Sequence, residues 1–249
     1  MESKIKVAAV SYLNTKPLVY AFDQGVMSDK LEMIYDYPSN IAALLITNQV
    51  DIGLVPVAII PHLNQYHIIS NFCIGATQPV KSVCLFSHVP INQISTIVLD
   101  YQSRTSNALL QILLKEYWKI DPILIPAQED SYAQIVDDTA GLIIGDRALI
   151  ALPHFEYVYD LAEAWQTLTS LPFVFAAWIA NKSLPLPFLE LFNQTIQSSL
   201  TQMDKVIAAT VFPQYDLRVY YHENICYVLS DEMKAGLNLY LEKLKLYQL

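Results

Sequence analysis

Two short polar turns carry the residue types from which a site could be built. The stretch SYLNTKP, residues 11–17, interrupts an apolar run and offers Asn14, an amide that can donate and accept, beside Tyr12 and Thr15. The stretch DYQSRTSNALL, residues 100–110, crowds Ser103, Thr105 and Ser106 at the start of a helical pattern. The first N–H groups of a helix have no partner within it, so hydroxyls gathered there suit a small anion, and Arg104 adds a guanidinium fork. Each turn also has a plainer reading. Ser103 can simply cap its helix, and Asn14 or Thr15 can cap a helix whose first turn tolerates Pro17.

Other chemistries leave no mark. The five histidines, His62, His67, His88, His154 and His222, lack metal-ligand spacing, and there is no HExxH, GxSxG or P-loop pattern. Only six glycines occur, none in a GxGxxG run, which argues against a nucleotide cradle, and no cofactor is expected. Asp51, Asp100, Asp146 and Asp160 each start or end a strand and could serve as bases or as turn carboxylates. Trp165, Phe173, Phe175 and Trp178 could line a pocket or pack a core.

Composition narrows the partners. A net charge of −9 opposes a nucleic-acid surface, although backbone N–H groups can hold a carboxylate on an acidic protein. The mean hydropathy of +0.30 is high. Yet the most apolar stretches, residues 50–63 and 171–180, are broken by Asp51, Pro56, Pro61 and Pro172 and fall short of the roughly 20 residues a membrane span needs. No membrane insertion is expected. Lys4 and Lys6 break what would be the apolar core of a signal peptide, which gives a cytoplasmic expectation. The cysteines Cys73, Cys84 and Cys226 read as free thiols rather than a disulfide or metal set.

The elements that must position these turns alternate between strand and helix. Residues 6–10, 31–37, 51–56 and 67–73 read as strands, with helices at 16–22, after Ser39 as N-cap, and at 56–64. A second run follows VKSVCLF: strands at STIVLD, DPILIPA and GLIIGD, and helices from Ser103, over 131–138 and over RALIAL. FEYVYDL and FVFAAWIA follow, and beyond Asn181 only helices are expected. Short apolar runs of this kind suit parallel strands buried on both faces, with right-handed crossovers. The expectation is an α/β protein of two lobes, each a mostly parallel sheet flanked by helices, with a helical tail. Two sequential domains would need a linker that neither run ends with, so by analogy with two-lobed folds as well as by pattern the chain would pass between the lobes near 83–90 and 176–182, placing 1–85 with 182–249 in one lobe and 86–181 in the other. Ligands of such sheets sit beyond the carboxyl ends of the strands, where both polar turns fall.

Taken in order, AVSYLNTKPLVY, PSNIAALL, DIGLVP, VKSVCLFS, LDYQSRTSNALLQILL, LIIGDRAL and DLAEAWQTLTSLPFVFAAW resemble the chorismate dehydratase family of the futalosine route to menaquinone. That family is built on the type II periplasmic-binding-protein fold. The resemblance spans roughly residues 5–180. It departs at Asn40, where the family tends to carry an acid, and at Ser170, where it tends to carry glycine.

The resemblance implies loss of water from chorismate, a small dicarboxylate, to give 3-enolpyruvyl-benzoate. It implies Asn14 as the catalytic residue, orienting the enolpyruvyl carboxylate or the departing hydroxyl. Substrate binding would fall to Tyr12, Leu13, Thr15, Ser39, Ser82, Ser103, Arg104, Thr105, Ser106, Asp146 and Phe175. The proton would be taken by the substrate's own carboxylate or by a cleft aspartate. A transporter's solute-binding protein, or the dihydroxynaphthoate synthase of the same route, is the alternative that shares the fold.

Overall fold

The computed structural model describes residues 4–128 and 132–249. Its strands are β1 (Ile5–Val10), β2 (Leu31–Asp36), β3 (Ile52–Pro56), β4 (His67–Ala76), β5 (Val83–Ser87), β6 (Thr96–Leu99), β7 (Ile123–Pro126), β8 (Thr139–Ile144), β9 (Tyr157–Asp160), β10 (Phe173–Ala180) and β11 (Cys226–Val228). The helices are α1 (Lys16–Asp23), α2 (Pro38–Ile46), α3 (Arg104–Leu113), α4 (Asp146–Ala151), α5 (Leu161–Thr169), α6 (Leu186–Leu200), α7 (Met203–Ala208), α8 (Leu217–Val219) and α9 (Asp231–Tyr247). A six-stranded sheet runs β11-β4-β10-β3-β1-β2, and a five-stranded sheet runs β7-β6-β8-β5-β9.

Each sheet is parallel only in part. β1 is parallel to β2 and β3, and β6 is parallel to β7 and β8. β5 is antiparallel to β8 and β9, and β10 to β3 and β4. The expectation of mostly parallel sheets is corrected for a mechanical reason. β5 and β10 are the strands that follow a passage from one sheet to the other, and each enters its new sheet from the opposite end.

Those passages lie at 77–82 and 170–172, earlier than the sequence pattern suggests. FVFAAWIA is therefore a central strand of the six-stranded sheet, with all eight residues buried, and not part of the sheet built from 83–160. Continuous burial on both faces is what its unbroken apolar run requires. The second passage is tight. A Cβ on Gly236 of α9 would stand 2.0 Å from the Pro172 carbonyl oxygen, so only glycine lets the tail helix lie against it.

Local capping rules hold in several places. Ser230 accepts a hydrogen bond from the Met233 N–H at 3.2 Å and opens α9, with Asp231 and Glu232 in its first turn. Asp160 accepts from the Ala162 and Glu163 N–H groups and opens α5. Ser39 does not cap its helix: α2 begins one residue earlier at Pro38, with Tyr37 in the cap position, because proline's fixed φ suits the first turn. The helix expected over 56–64 is a 3-10 helix, Val57–His62. The tail adds a short strand, β11, to the helices expected after Asn181. Of the helix expected over 131–138, Ser131 lies outside the described residues, and Tyr132–Gln134 form a single 3-10 turn. Ser170 sits just past α5 at φ 60°, the left-handed conformation that glycine adopts without strain. It is exposed and away from the cleft, so the departure from glycine there concerns the backbone and not a pocket wall. Among the described residues no helix is long and apolar enough to cross a membrane.

Candidate functional site

The carboxyl ends of β1, β6 and β8 face one another across a cavity between the two sheets. Its polar lining comes from Tyr12, Asn14, Ser82, Ser103, Thr105 and Ser106; Val10, Pro56, Ile74, Phe175 and Ala176 supply apolar surface. Gly145, at the end of β8, closes one side. The cavity measures about 60 Å³. An apolar cavity of roughly 150 Å³ is what accommodates benzene, so a substituted six-membered ring enters only if the walls separate.

The α3 turn combines a local cap with two long-range ties. Ser103 Oγ accepts from the Ser106 N–H at 3.0 Å and donates to Ser106 Oγ at 2.8 Å. Thr105 Oγ1 accepts from the Ala58 N–H at 3.1 Å, and the Tyr240 hydroxyl donates to the Thr105 carbonyl at 3.0 Å. The helix start is thereby fastened to the other sheet and to the tail helix while its hydroxyls stay on the cavity. Each of these hydroxyls retains hydrogen-bonding capacity toward a ligand.

The first turn behaves differently. After β1 the chain makes a 3-10 turn over Leu13–Thr15 and passes directly into α1, with Pro17 in the first helical turn. Its groups reach across the cleft: the Leu13 N–H donates to Asp146 Oδ1 at 3.1 Å, and the Tyr12 hydroxyl donates to Gln102 Oε1. Burial pushes the Tyr12 hydroxyl's pKa up, Asp100 adds to this, and Arg147 opposes it; the group stays protonated at neutral pH. Asp146 is also raised by burial, while the Leu13 hydrogen bond and Lys16 pull it back.

Gly145 explains how the two ends fit. It takes φ 67°, and a Cβ there would stand 3.2 Å from the Tyr12 ring. Its N–H donates to the Ser82 carbonyl at 2.7 Å, which ties β8 to the residue entering β5. A side chain at this position would be strained and would push the aromatic ring.

Most of the expected site residues meet here, and some do not. Tyr12, Asn14, Ser82, Ser103, Thr105, Ser106 and Phe175 line the cavity. Leu13 and Thr15 are buried behind the turn, and Asp146 acts on the backbone of Leu13 without lining the cavity. Arg104 is exposed on the outer side of α3 and lines nothing; the N-terminal turn points its neighbours inward and this residue outward. Ser39 lies beside the lining residue Pro38 but does not itself line the cavity. Trp165, Phe173 and Trp178 are core residues, with only Phe175 of that aromatic run reaching the cleft.

The guanidinium near the cleft is Arg147, not Arg104. Its Nη2 contacts Asp100 Oδ2 at 2.6 Å and Gln102 Oε1 at 3.2 Å, and the group lies over the Tyr101 ring at 4.9 Å. Gln102 and Arg147 were not singled out from sequence. The signal was present in the parallel pairing of β6 with β8, which brings DYQ and GDR side by side. The candidate bases are accounted for as well. Asp100 is paired with Arg147 and accepts from the Gln102 N–H, Asp160 caps α5, and Asp51 pairs with Lys182 at 2.5 Å. Among the described residues the cavity lining contains no Asp, Glu, His, Lys or Cys. None of these residues gathers elsewhere in a group of three or more that could hold a metal ion.

Two mixed sheets joined by two passages, with polar turns facing a shared cleft, define a binding-protein architecture. The chain is similar in structure to a protein of Archaeoglobus fulgidus (TM-score 0.74, 16% identity, 100% of this chain and 99% of that one). It also resembles the periplasmic aliphatic sulphonate binding protein SsuA of Escherichia coli (TM-score 0.62, 13% identity, 100% and 88%). The fold is thus that of the periplasmic binding proteins. Residues 5–245 match the family described as menaquinone biosynthesis, and the chain belongs to that family. It is 26% identical to the chorismate dehydratase of Thermus thermophilus, over 94% of this chain and 93% of that protein.

Proposed function

We propose that this chain is a hydro-lyase that removes water from chorismate to give 3-enolpyruvyl-benzoate. The family assignment and the relative in Thermus thermophilus support the substrate. The observation that carries the mechanism is the lining of the cleft: hydroxyls and one amide beside apolar side chains, and no titratable acid or base but the Tyr12 phenol among the described lining residues.

That lining suits a dicarboxylate whose own groups do the proton transfer. The ring carbon that bears the ether loses its proton to the enolpyruvyl carboxylate, and the electron pair delocalises through the diene toward the ring carboxylate. The ring hydroxyl then departs with a proton as water, and the ring becomes aromatic, so atoms and charge balance without another reactant. Ser103, Thr105 and Ser106, at the start of α3, hold the ring carboxylate and stabilise charge as it develops. Asn14 orients the reacting end, where positioning substitutes for a strong protein base. Phe175 provides the apolar surface under the ring.

Incubating purified protein with chorismate and following products by chromatography and mass tests this. The expected product is lighter by one water. An analogue in which the enolpyruvyl carboxylate is an amide should bind and remain unchanged. Unaltered chorismate would point instead to a solute-binding role, which the likeness to SsuA favours; rapid dehydration of the amide would place the base on the protein.

A further inference from the structure

Tyr220 belongs to a part of the chain that the sequence motifs did not touch. α8 runs into a wide turn over Tyr220–Asn224, closed by the Ile225 N–H donating to the Tyr220 carbonyl at 3.1 Å. Such one-turn widenings of a helix are frequent at functional sites. Asn224 pins this one, donating through Nδ2 to the Pro79 carbonyl at 3.1 Å and accepting from the Tyr215 hydroxyl at 3.0 Å. Pro79 lies in the first passage between the sheets, three residues before Ser82, so the turn is held against the back of the cleft wall.

Tyr220 is fully buried, and its hydroxyl completes no hydrogen bond among the described residues. Ser82 Oγ, buried on the cavity, is in the same position. The side chains of Ser82 and Asn14 are the hydroxyl's polar neighbours, with the Asp146 charge also felt there. Buried polar groups left unpaired are costly, and two such hydroxyls, one of them on the cavity, mark a place where a ligand-bound arrangement completes the pairing.

Asn14 has the complementary need. Its Oδ1 receives only a long contact, 3.4 Å, from the Thr15 hydroxyl. An amide whose carbonyl is loosely held can turn over and present oxygen where its NH2 is required. Facing an anion, that exchange replaces attraction by repulsion.

We propose that Tyr220 is a positioning residue for Asn14: its hydroxyl donates to Asn14 Oδ1, directly or with Ser82 between them, and so keeps the amide NH2 directed at the substrate. The inference rests on the dehydration reading and deepens it. It explains why an aromatic residue of the tail is packed behind a turn more than 200 residues earlier in the chain.

The test compares Tyr220→Phe, Asn14→Ala and the double variant, with Tyr221→Phe as a neighbouring buried hydroxyl that should leave turnover unchanged. Tyr220→Phe keeps the ring, and thermal melting checks the fold. Support for a residue of this kind corresponds to a loss of about 10- to 100-fold in kcat. KM should change little, and the loss should vanish in the Asn14→Ala background because the two groups act as a unit. Full kcat in Tyr220→Phe, or an equal loss in both backgrounds, overturns the proposal. If wild-type protein leaves chorismate unchanged, the dehydration reading fails separately; the same four proteins are then compared for chorismate affinity. There a Tyr220→Phe loss confined to the Asn14 background supports positioning, and its absence overturns it.

Discussion

The turn after β1 and the turn that opens α3 sit on the same cavity, yet they are held differently. Around Ser103 the cap itself is short-range, a serine bonding within three residues, while Thr105 beside it is tied to Ala58 and Tyr240. Around Asn14 the bonds are long-range: Tyr12 reaches Gln102 and Leu13 reaches Asp146, 133 residues away. On the proposed reading, a site that binds an anion at a helix start and activates it at a turn assembled by distant contacts separates affinity from reactivity. The Ser103 cap is a local motif. The first turn has its geometry only when both sheets are in place.

Breaking the long-range side should therefore cost most. Gly145→Ala would place a Cβ in the left-handed region and against the Tyr12 ring, a strain of about 1–3 kcal/mol. The expected outcome is a lowered melting temperature together with turnover reduced at least about tenfold, given that 1.36 kcal/mol is tenfold in rate. A loss of stability with turnover intact would show that Tyr12 does not matter to the reacting end.

Ser103→Ala tests the local side. Loss of the cap should cost about 1 kcal/mol of stability. The effect on function should fall mainly on chorismate binding, read as a rise in KM, with kcat affected less than by any change at Asn14. A kcat loss larger than that of Asn14→Ala would reverse the roles of the two turns.

Asp146 joins the two regions and gives the smallest, pH-dependent effect. Burial raises its pKa in the folded state, so the protonated carboxyl is favoured there. Its contribution is present at low pH and is lost as pH rises through the raised pKa. Asp146→Asn keeps an acceptor for the Leu13 N–H and removes the titration. The wild-type melting temperature, measured relative to Asp146→Asn, should accordingly fall as pH rises from the ordinary carboxylate range through the raised pKa. A difference that is flat, or that grows with pH, would contradict the assignment.

The same contrast separates what could be read from sequence from what could not. Ser103, Ser230 and the strand-to-helix punctuation were legible because caps and apolar runs are local. Placing both polar turns at strand ends on one cleft followed from the α/β pattern together with analogy to two-lobed folds. Arg104 misled because helical spacing near a terminus does not say which way a single residue faces. The passages were set too late because an unbroken apolar strand such as β10 carries no mark of which sheet it will join. Gln102, Arg147 and Tyr220 went unnoticed since each matters only through partners far away in the chain.

The central claim is that the turn after β1 holds the reacting end of the substrate. Single-turnover dehydration of chorismate by wild-type and Asn14→Ala protein, with binding of the product measured alongside, tests it most directly. The account predicts a rate loss of at least about 100-fold, the scale of removing one preorganised donor, with product affinity largely kept. Full turnover by Asn14→Ala would contradict it.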